Sequence, residues 1–181
     1  MYTTMVVDSL KRVWLKGGNR LFETKRCLIN PLRTSDSEEV KRLFENPEVR
    51  KYLGGIPTEA SIEGTLNEML NLADTAYYWV VREKITNEFI GLVSLDSHHD
   101  GDDLEVSYQF VPKWWGAGYG TEVVKRVLQF AFNELILPKV VAETQSKNTF
   151  SCRLLERLGM ELERTTIRFG AEQSIYSIRT I

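Results

Sequence analysis

A strand, a glycine-rich turn and a helix follow one another between Leu104 and Glu134, and this stretch constrains the possible fold more than any other part of the chain. Residues 104–111 are rich in apolar, β-branched and aromatic side chains and precede Pro112, a pattern that predicts a strand. After the turn, apolar residues recur at helical spacing and form one stripe: Val124, Val127, Leu128, Ala131 and Leu135. The stretch therefore predicts a strand that leads through a sharp turn into an amphipathic helix.

The turn runs from Trp114 to Gly120, reads WWGAGYG, and has glycines at three alternate positions. Because glycine has no Cβ, backbone N–H groups can approach a ligand closely, and the first N–H groups of the helix point the same way. Such a set of donors suits a phosphate or a pyrophosphate. The alternative is a glycine-rich corner that only lets the strand and the helix pack closely.

Two common phosphate-binding loops do not fit this turn. A P-loop has Lys followed by Ser or Thr after its last glycine, whereas Gly120 is followed by Thr121 and Glu122. The dinucleotide-binding pattern G-x-G-x-x-G places its third glycine where this chain has Thr121. The turn therefore predicts a different kind of phosphate site, or none.

The overall composition is that of an ordinary soluble globular protein, and 181 residues are enough for one domain. Hydrophobic residues make up 43% of the chain, charged residues 27%, and the formal net charge is −2. No apolar run reaches the ~20 residues of a membrane span, and basic residues interrupt the apolar pattern of the N-terminus, unlike a signal peptide. We therefore expect neither nucleic acid nor a membrane as a partner.

Cysteine and histidine are scarce, with two residues of each type. Cys27 and Cys152 lie far apart and His98 and His99 are adjacent, which does not match zinc-ligand spacing, so we expect no bound metal. We expect free thiols and a cytoplasmic protein, because thiols stay reduced in that compartment.

Residues 1–23 form an N-terminal arm in our interpretation, and residues 24–181 form one domain. The apolar residues of the arm share one helical face: Val6, Leu10, Val13 and Trp14. Such a helix fits either a membrane surface or partner, or docking onto its own domain.

Seven strands and five helical segments are predicted in the domain. The strands cover residues 25–32, 77–82, 89–95, 104–111, 139–144, 161–168 and 175–179. Pro47 ends the first helix, whereas Asn148 begins the last helix and Gly159 ends it. Because strands lie on both sides of each helix in sequence, the pattern predicts a mixed α/β domain.

Several short segments occur in an order and spacing that is more specific than any one of them. They are Lys25–Leu32 (KRCLINPL), Asn46–Val49 (NPEV), Phe89–Gly91 (FIG), Pro112–Thr121, Asn148–Ser151 (NTFS) and Leu155–Met160 (LERLGM). With these segments, residues 24–181 resemble the GNAT superfamily of N-acetyltransferases, and most closely its ribosomal-protein N-terminal acetyltransferases. The resemblance implies a mixed, mostly antiparallel sheet of about seven strands, flanked by helices, with a splay between strands four and five.

The resemblance also implies acetyl-CoA as co-substrate, bound in the splay. Its pantetheine arm is expected to pair with the backbone near Phe110 and Val111. Its pyrophosphate is expected on the backbone amides of Trp115, Gly116, Ala117, Gly118, Tyr119, Gly120 and Thr121. Trp115 replaces the Gln or Arg usual in the family, which matters little because the expected contacts are backbone amides.

Acetyl transfer from a thioester to an amine requires an uncharged amine, a polarised carbonyl and a proton for the thiolate. A peptide α-amine has a pKa near 8 and a lysine amine one near 10.4, so deprotonating the α-amine costs roughly 3 kcal/mol less. This difference favours a peptide or protein α-amine as the acceptor. No covalent enzyme intermediate is needed, so we interpret Cys152 as a small buried helix residue rather than a nucleophile.

Ser151 is the predicted proton donor to the thiolate. The usual family donor is a tyrosine at the position of Leu155, and related N-terminal acetyltransferases are expected to use a serine one turn earlier. The alternative for Ser151 is a hydroxyl that satisfies amides of the first helical turn. Asn148 is expected either on the pantetheine arm, as in the family, or as the N-cap of the helix, or both.

Glu105 is the predicted general base. It opens the central strand and shares a face with Ser107 and Gln109, where polar side chains could line the acceptor site. The alternatives are a solvent-facing carboxylate at Glu105, a base among Asp96, His98 and His99, or a chain of water molecules. We expect the adjacent histidines and the acidic run 100–103 to be solvated.

The sequence therefore predicts an acetyl-CoA-dependent N-acetyltransferase that acts directly on a primary amine, as a monomer or homodimer. The favoured acceptor is a protein or peptide N-terminal α-amine. The alternatives are a small-molecule amine, a non-catalytic acyl-CoA-binding module and a phosphate-binding domain unrelated to CoA.

Overall fold

The computed structural model describes residues 21–71 and 76–180. Its strands are β1 (Phe22–Glu23), β2 (Cys27–Pro31), β3 (Tyr77–Glu83), β4 (Phe89–Ser97), β5 (Leu104–Phe110), β6 (Lys139–Gln145), β7 (Glu161–Arg168) and β8 (Ala171–Arg179). Its helices are α1 (Ser37–Glu45), α2 (Pro47–Arg50), α3 (Glu59–Asn71), α4 (Tyr119–Asn133) and α5 (Thr149–Arg157), with 3₁₀ turns at Thr34–Asp36 and Pro112–Trp114.

The described strands form one sheet in the order β1-β2-β3-β4-β5-β6-β8-β7. Neighbouring strands are antiparallel except for β5 and β6, which are parallel. Their pairing is confined to Leu104 opposite Val140 and Glu105 opposite Val141, so the two strands part beyond these pairs. The mixed, mostly antiparallel sheet with a splay is confirmed. Within the described residues the sheet has eight strands rather than about seven, because the two-residue strand β1 is too short to leave a sequence pattern.

Local sequence signals set several element boundaries, among them the predicted end of α1 at Glu45, before Pro47. The side chain of Asn46 accepts hydrogen bonds from the N–H groups of Glu48 and Val49 at 2.9 and 3.2 Å and thereby begins α2 at Pro47. Asn148 accepts from the N–H of Ser151 at 3.3 Å and begins α5. Gly159, with φ of 83°, adopts the left-handed conformation that ends the helix.

Two apolar clusters lie on opposite faces of the sheet. The larger cluster packs α4 and α5 against one face and contains Trp79, Phe130 and Leu155, each about 1% exposed. The smaller cluster packs α1, α2 and α3 against β3 and β4 on the other face. Along β5, Val106 and Phe110 belong to the larger cluster and Tyr108 packs against it, so the side chains of Glu105, Ser107 and Gln109 face the opposite side.

The predicted N-terminal arm falls mostly on residues 1–20, outside the described residues, so the boundary at residue 23 stays a prediction. Phe22 and Glu23 pair with Ile29 and Leu28 at the edge of the sheet. The helix predicted for residues 59–73 is described as far as Asn71. None of the helices described for residues 21–71 and 76–180 is long and apolar enough to cross a membrane.

Candidate active site

The gap between β5 and β6 is lined by backbone groups of β5. The N–H of Val111 donates to the carbonyl of Ile90 on β4 at 2.8 Å, so this N–H points towards β4 and away from the gap. Because alternate residues of a strand point their N–H and C=O groups to opposite sides, those of Tyr108 and Phe110 face the gap. The carbonyl of Phe110 accepts there from the indole N–H of Trp115 at 2.7 Å.

The turn after β5 presents a row of backbone donors. The N–H of Trp115 is used within the turn, because it donates to the carbonyl of Pro112 at 3.0 Å. Among the described residues, no protein acceptor receives a hydrogen bond from the N–H groups of residues 116–121. The first helical bond runs from the N–H of Glu122 to the carbonyl of Gly118 at 3.1 Å. Six consecutive N–H groups are therefore available to an anionic ligand.

The three glycines of the turn serve different purposes. Gly116 and Gly118 have φ values of 75° and 82°, a conformation that side chains with a Cβ rarely adopt. A Cβ on Gly120 would lie 2.8 Å from Leu154 Cδ1 and 3.2 Å from the ring of Phe110. The first two glycines thus shape the row of donors, whereas the third allows α4 to pack closely. The close-packing interpretation of the turn thus holds at Gly120, whereas phosphate binding by the preceding residues stays a prediction.

Arg26, between β1 and β2, holds the turn from outside. Its Nη1 donates to the carbonyl of Ala117 at 2.9 Å, and its guanidinium lies 4.0 Å from the ring centre of Tyr119. Its Nε and backbone N–H donate to the two carboxylate oxygens of Glu122, each at 2.8 Å. Sequence reasoning missed Arg26, because its partners lie more than 90 residues away and no local pattern connects them.

Ser151 lies at the first turn of α5, where its hydroxyl is 2.8 Å from the hydroxyl of Tyr108. Burial raises the pKa of Tyr108 to about 12, with an opposing contribution from the hydrogen bond to Ser151. The helix amide is instead satisfied by Asn148, which accepts from the N–H of Ser151. Tyr108 is a second residue that sequence reasoning missed, because it reads as an ordinary aromatic residue of a strand.

Glu105 lies on the opposite face of the sheet from Tyr108, at the point where β5 and β6 separate. One carboxylate oxygen accepts from the hydroxyl of Ser107 at 3.1 Å and lies 3.4 Å from the N–H of Glu143 on β6. Burial raises the pKa of Glu105 and outweighs these hydrogen bonds. On the same face, Gln109 Oε1 is buried and lacks a hydrogen-bond partner within the described residues. Glu105 is thus a partly desolvated carboxylate beside the gap.

The expectation that His98 is solvated is wrong. His98 is 5% exposed, accepts at Nδ1 from the N–H of Asp100 at 3.2 Å, and lies with Nε2 3.0 Å from Glu143 Oε2. Asp100 is exposed, as expected for a solvated loop, and also pairs with Arg164 and Arg168. The loop after β4 contacts β6 through His98 and β7 through Asp100.

Cys27 and Cys152 are both free thiols. Cys27 is completely buried, and burial raises the pKa of its thiol to about 11. Within residues 21–71 and 76–180, no group of three or more His, Cys, Asp and Glu side chains has the arrangement of a metal site.

Comparison with known proteins agrees with the fold. The protein-family model described as acetyltransferase (GNAT) domain matches residues 26–161 of the sequence. The uncharacterized N-acetyltransferase YoaA of Bacillus subtilis is 28% identical over 153 residues, which cover 79% of this chain and 84% of YoaA.

Two solved structures share the fold at low sequence identity. Spermidine N-acetyltransferase from Vibrio cholerae, in complex with CoA and spermine, superposes with a TM-score of 0.72 at 20% identity, over 84% of this chain and 95% of that one. Ribosomal-protein-S5-alanine acetyltransferase from Vibrio fischeri has a TM-score of 0.72 at 19% identity, over 88% and 96% of the two chains. Since the family model spans most of the chain, the protein belongs to the GNAT family of acetyl-CoA-dependent acetyltransferases.

Proposed function

We propose that this protein transfers the acetyl group of acetyl-CoA directly to the N-terminal α-amine of a peptide or protein. The observation that carries the proposal is the arrangement of three features around the gap between β5 and β6. Six N–H groups without protein acceptors lie at one end of the gap, among the described residues. Glu105 lies on one face of the sheet, and the Tyr108–Ser151 pair lies on the other.

The residues of the turn fit coenzyme A. The N–H groups from Gly116 to Thr121 would hold the diphosphate, because charge-assisted hydrogen bonds from a helix N-terminus favour an anion. Each such bond contributes roughly 1.5–3 kcal/mol. The gap-facing groups of Phe110 would hold the pantetheine arm, and Asn148 stands at the start of the helix beside it. Acetyl-CoA supplies the acetyl group as a thioester, whose C–S bond breaks as the C–N bond of the amide forms.

Glu105 is the proposed proton acceptor for the amine. The acceptor arrives as an ammonium group and has to lose a proton before its nitrogen can attack. A carboxylate whose pKa is raised by burial is a better base than a solvated one, since its pKa lies closer to neutral pH. The proton would pass to a carboxylate oxygen of Glu105 and from there to solvent.

Ser151 is the proposed proton donor to the thiolate, with Tyr108 as its support. Because burial keeps the phenol of Tyr108 protonated, Tyr108 can donate its hydrogen to Ser151 Oγ. The hydrogen of Ser151 is then free to be donated to the sulfur as the C–S bond breaks, and the proton that the attacking nitrogen loses on becoming an amide restores the one given up by Ser151. The tyrosine that the family usually carries on α5 is thus replaced by one on β5, since Leu155 occupies that position.

The two neighbouring structures differ in the acceptor that their names give, a ribosomal-protein alanine and spermidine. We favour the peptide α-amine, because a larger fraction of it is uncharged at neutral pH than of an alkyl amine. A small-molecule polyamine is the second candidate, supported by the fold shared with the spermidine enzyme.

Incubation with acetyl-CoA and separate pools of peptides and small amines, with free thiol as the readout, tests the proposal. We expect thiol release with peptides that have free N-termini and none when those N-termini are blocked. Release with polyamines alone would favour the second candidate, and CoA binding without release from any pool would indicate a non-catalytic module.

Gly118→Val should abolish CoA binding, because valine is strained at this φ and crowds the donors. Unchanged affinity would contradict the site.

A further inference from the structure

The helix that offers its N-terminus to the diphosphate carries a carboxylate in its first turn. Glu122 is the fourth residue of α4 and lies next to the row of N–H donors. A carboxylate at this position interacts with the same helix dipole that favours an anionic ligand. Unless it is neutralised, it repels a diphosphate that binds nearby. Binding of a diphosphate at the turn is therefore favoured by a group that neutralises the carboxylate of Glu122.

Arg26 meets that need with several contacts at once. Its Nε and its backbone N–H hold both carboxylate oxygens of Glu122 at 2.8 Å. Burial opposes ionisation of Glu122, but hydrogen bonds from Thr24 and Arg26 outweigh it and hold the pKa of the carboxyl below its ordinary value. Glu122 is thus charged and paired.

The same guanidinium also fixes the backbone of the turn. Nη1 donates to the carbonyl of Ala117 at 2.9 Å, between the two left-handed glycines. The guanidinium covers the ring of Tyr119, the first residue of α4, and its Nη2 lies 3.5 Å from the place of a Cβ on Gly118. One side chain thereby joins the carboxylate, the turn and the start of the helix.

We propose that Arg26 is a positioning residue for the CoA diphosphate, which it serves by neutralising Glu122 and holding the carbonyl of Ala117 away from the donors. This inference rests on the proposed CoA site at the turn. It assigns a binding role to a residue on the β1–β2 segment, which lies outside the glycine-rich stretch. Its consequence is that Glu122 becomes harmful to CoA binding once Arg26 is removed.

A double-mutant cycle measures this coupling through the dissociation constant of CoA in calorimetry. Arg26→Ala is expected to raise the dissociation constant about tenfold, because the carboxylate is left unpaired beside the diphosphate. Arg26→Ala combined with Glu122→Gln is expected to bind CoA about threefold better than Arg26→Ala alone. Added salt should narrow the gap between Arg26→Ala and the unmodified protein, since it screens the repulsion. Arg26→Lys, which keeps the charge, should bind better than Arg26→Ala.

A matched control is the ion pair of Lys84, the residue after β3, and Glu23 on β1, whose charged atoms lie 2.7 Å apart on the same edge of the sheet. Lys84→Ala should leave the dissociation constant of CoA unchanged. If the double variant binds no better than Arg26→Ala, the charge-compensation role is wrong, even where Gly118→Val abolishes binding. If Gly118→Val binds CoA normally, the site itself is wrong. Should Arg26→Ala fail to fold, Arg26→Lys is compared with Arg26→Lys/Glu122→Gln instead. Weaker CoA binding by the variant without Glu122 would contradict the inference.

Discussion

The hydroxyl groups of Tyr108 and Ser151 lie 2.8 Å apart and join the central strand to the last helix across the interior of the domain. Leu155 on α5, at the position where the family resemblance implies a tyrosine, is 1% exposed. A phenol therefore reaches this region from β5 instead of from α5. If Ser151 is the proton donor, Tyr108 determines which way its hydrogen points.

We expect Ser151→Ala to lower kcat about 10²-fold, the usual contribution of a positioned general acid. Tyr108→Phe should lower kcat by about tenfold, because Ser151 keeps its hydroxyl but loses the donor that orients it. The effect of Tyr108→Phe should vanish in the Ser151→Ala background, since both changes interrupt one chain. Steady-state rates of thiol release for the four proteins check this prediction.

The hydroxyl pair of Ser146 and Ser174, also 2.8 Å apart, is the control for loss of a hydrogen bond alone. Ser146→Ala should cost about 1 kcal/mol of stability and leave kcat unchanged. An undiminished rate in Ser151→Ala would show that the hydroxyl has no part in proton transfer.

Glu105→Gln should lower kcat/KM about 10²-fold, because an amide cannot accept the proton of the amine. In the unmodified protein, kcat/KM should rise with pH through the raised pKa of Glu105, as the carboxyl becomes ionised. The variant should lose this dependence and keep only that of the acceptor amine, which titrates near pH 8. Identical pH profiles for the two proteins would exclude Glu105 as the base.

The same substitution should raise stability at neutral pH. Since the pKa of Glu105 is higher in the folded than in the unfolded state, the folded state binds more protons between the two values, and stability falls as pH rises through that window. The loss of stability from burying the ionised carboxylate is complete above the folded-state pKa and absent below the unfolded-state pKa. Glu105→Gln removes it, so its gain in unfolding free energy should be larger at pH 8 than at pH 4. Urea unfolding at both pH values measures the difference.

Much of the fold could be predicted because its signals are local. Pro47, Asn148 and Gly159 set helix ends through their own backbone or side chain, and the alternation along β5 separates its two faces. The turn could be recognised as a set of donors because glycine spacing alone permits it. The splay followed from family resemblance, since no single residue encodes where two strands part.

The remaining parts of the site depend on contacts between distant residues. Arg26 and Glu122 are 96 positions apart, and Tyr108 and Ser151 are 43 apart. The polar sequence neighbours of His98 predict a solvated side chain, whereas in the structure His98 is buried and contacts Glu143 on β6. Ion pairs and hydroxyl–hydroxyl contacts of this kind cannot be recognised in the local sequence, because they form only where the fold brings distant segments together.

Gly91 should be the glycine least tolerant of substitution. A Cβ there would lie 2.1 Å from the carbonyl oxygen of Gln109, on the neighbouring strand β5. Because backbone atoms cannot move aside, Gly91→Ala should lower the unfolding free energy by about 3 kcal/mol. Gly64, inside α3, has nothing within 4 Å of its Cβ position, so Gly64→Ala should raise stability by about 0.5–1 kcal/mol. Denaturant unfolding of both variants tests the contrast, and equal stability would contradict the close approach of β4 and β5.

Gly120 should be limited by packing, whereas Gly116 is limited by backbone conformation alone. A Cβ on Gly120 would press on Leu154, so Gly120→Ala should cost about 1–3 kcal/mol of stability. In a Leu154→Ala background the same change should cost less, because the obstructing Cδ1 is gone. Gly116 has open space but φ of 75°, so Gly116→Ala should cost about 1 kcal/mol, with or without Leu154. Thermal unfolding of each glycine variant, with and without Leu154→Ala, checks this prediction. If Gly120→Ala loses the same stability in both backgrounds, contact with Leu154 is not the cause of the loss.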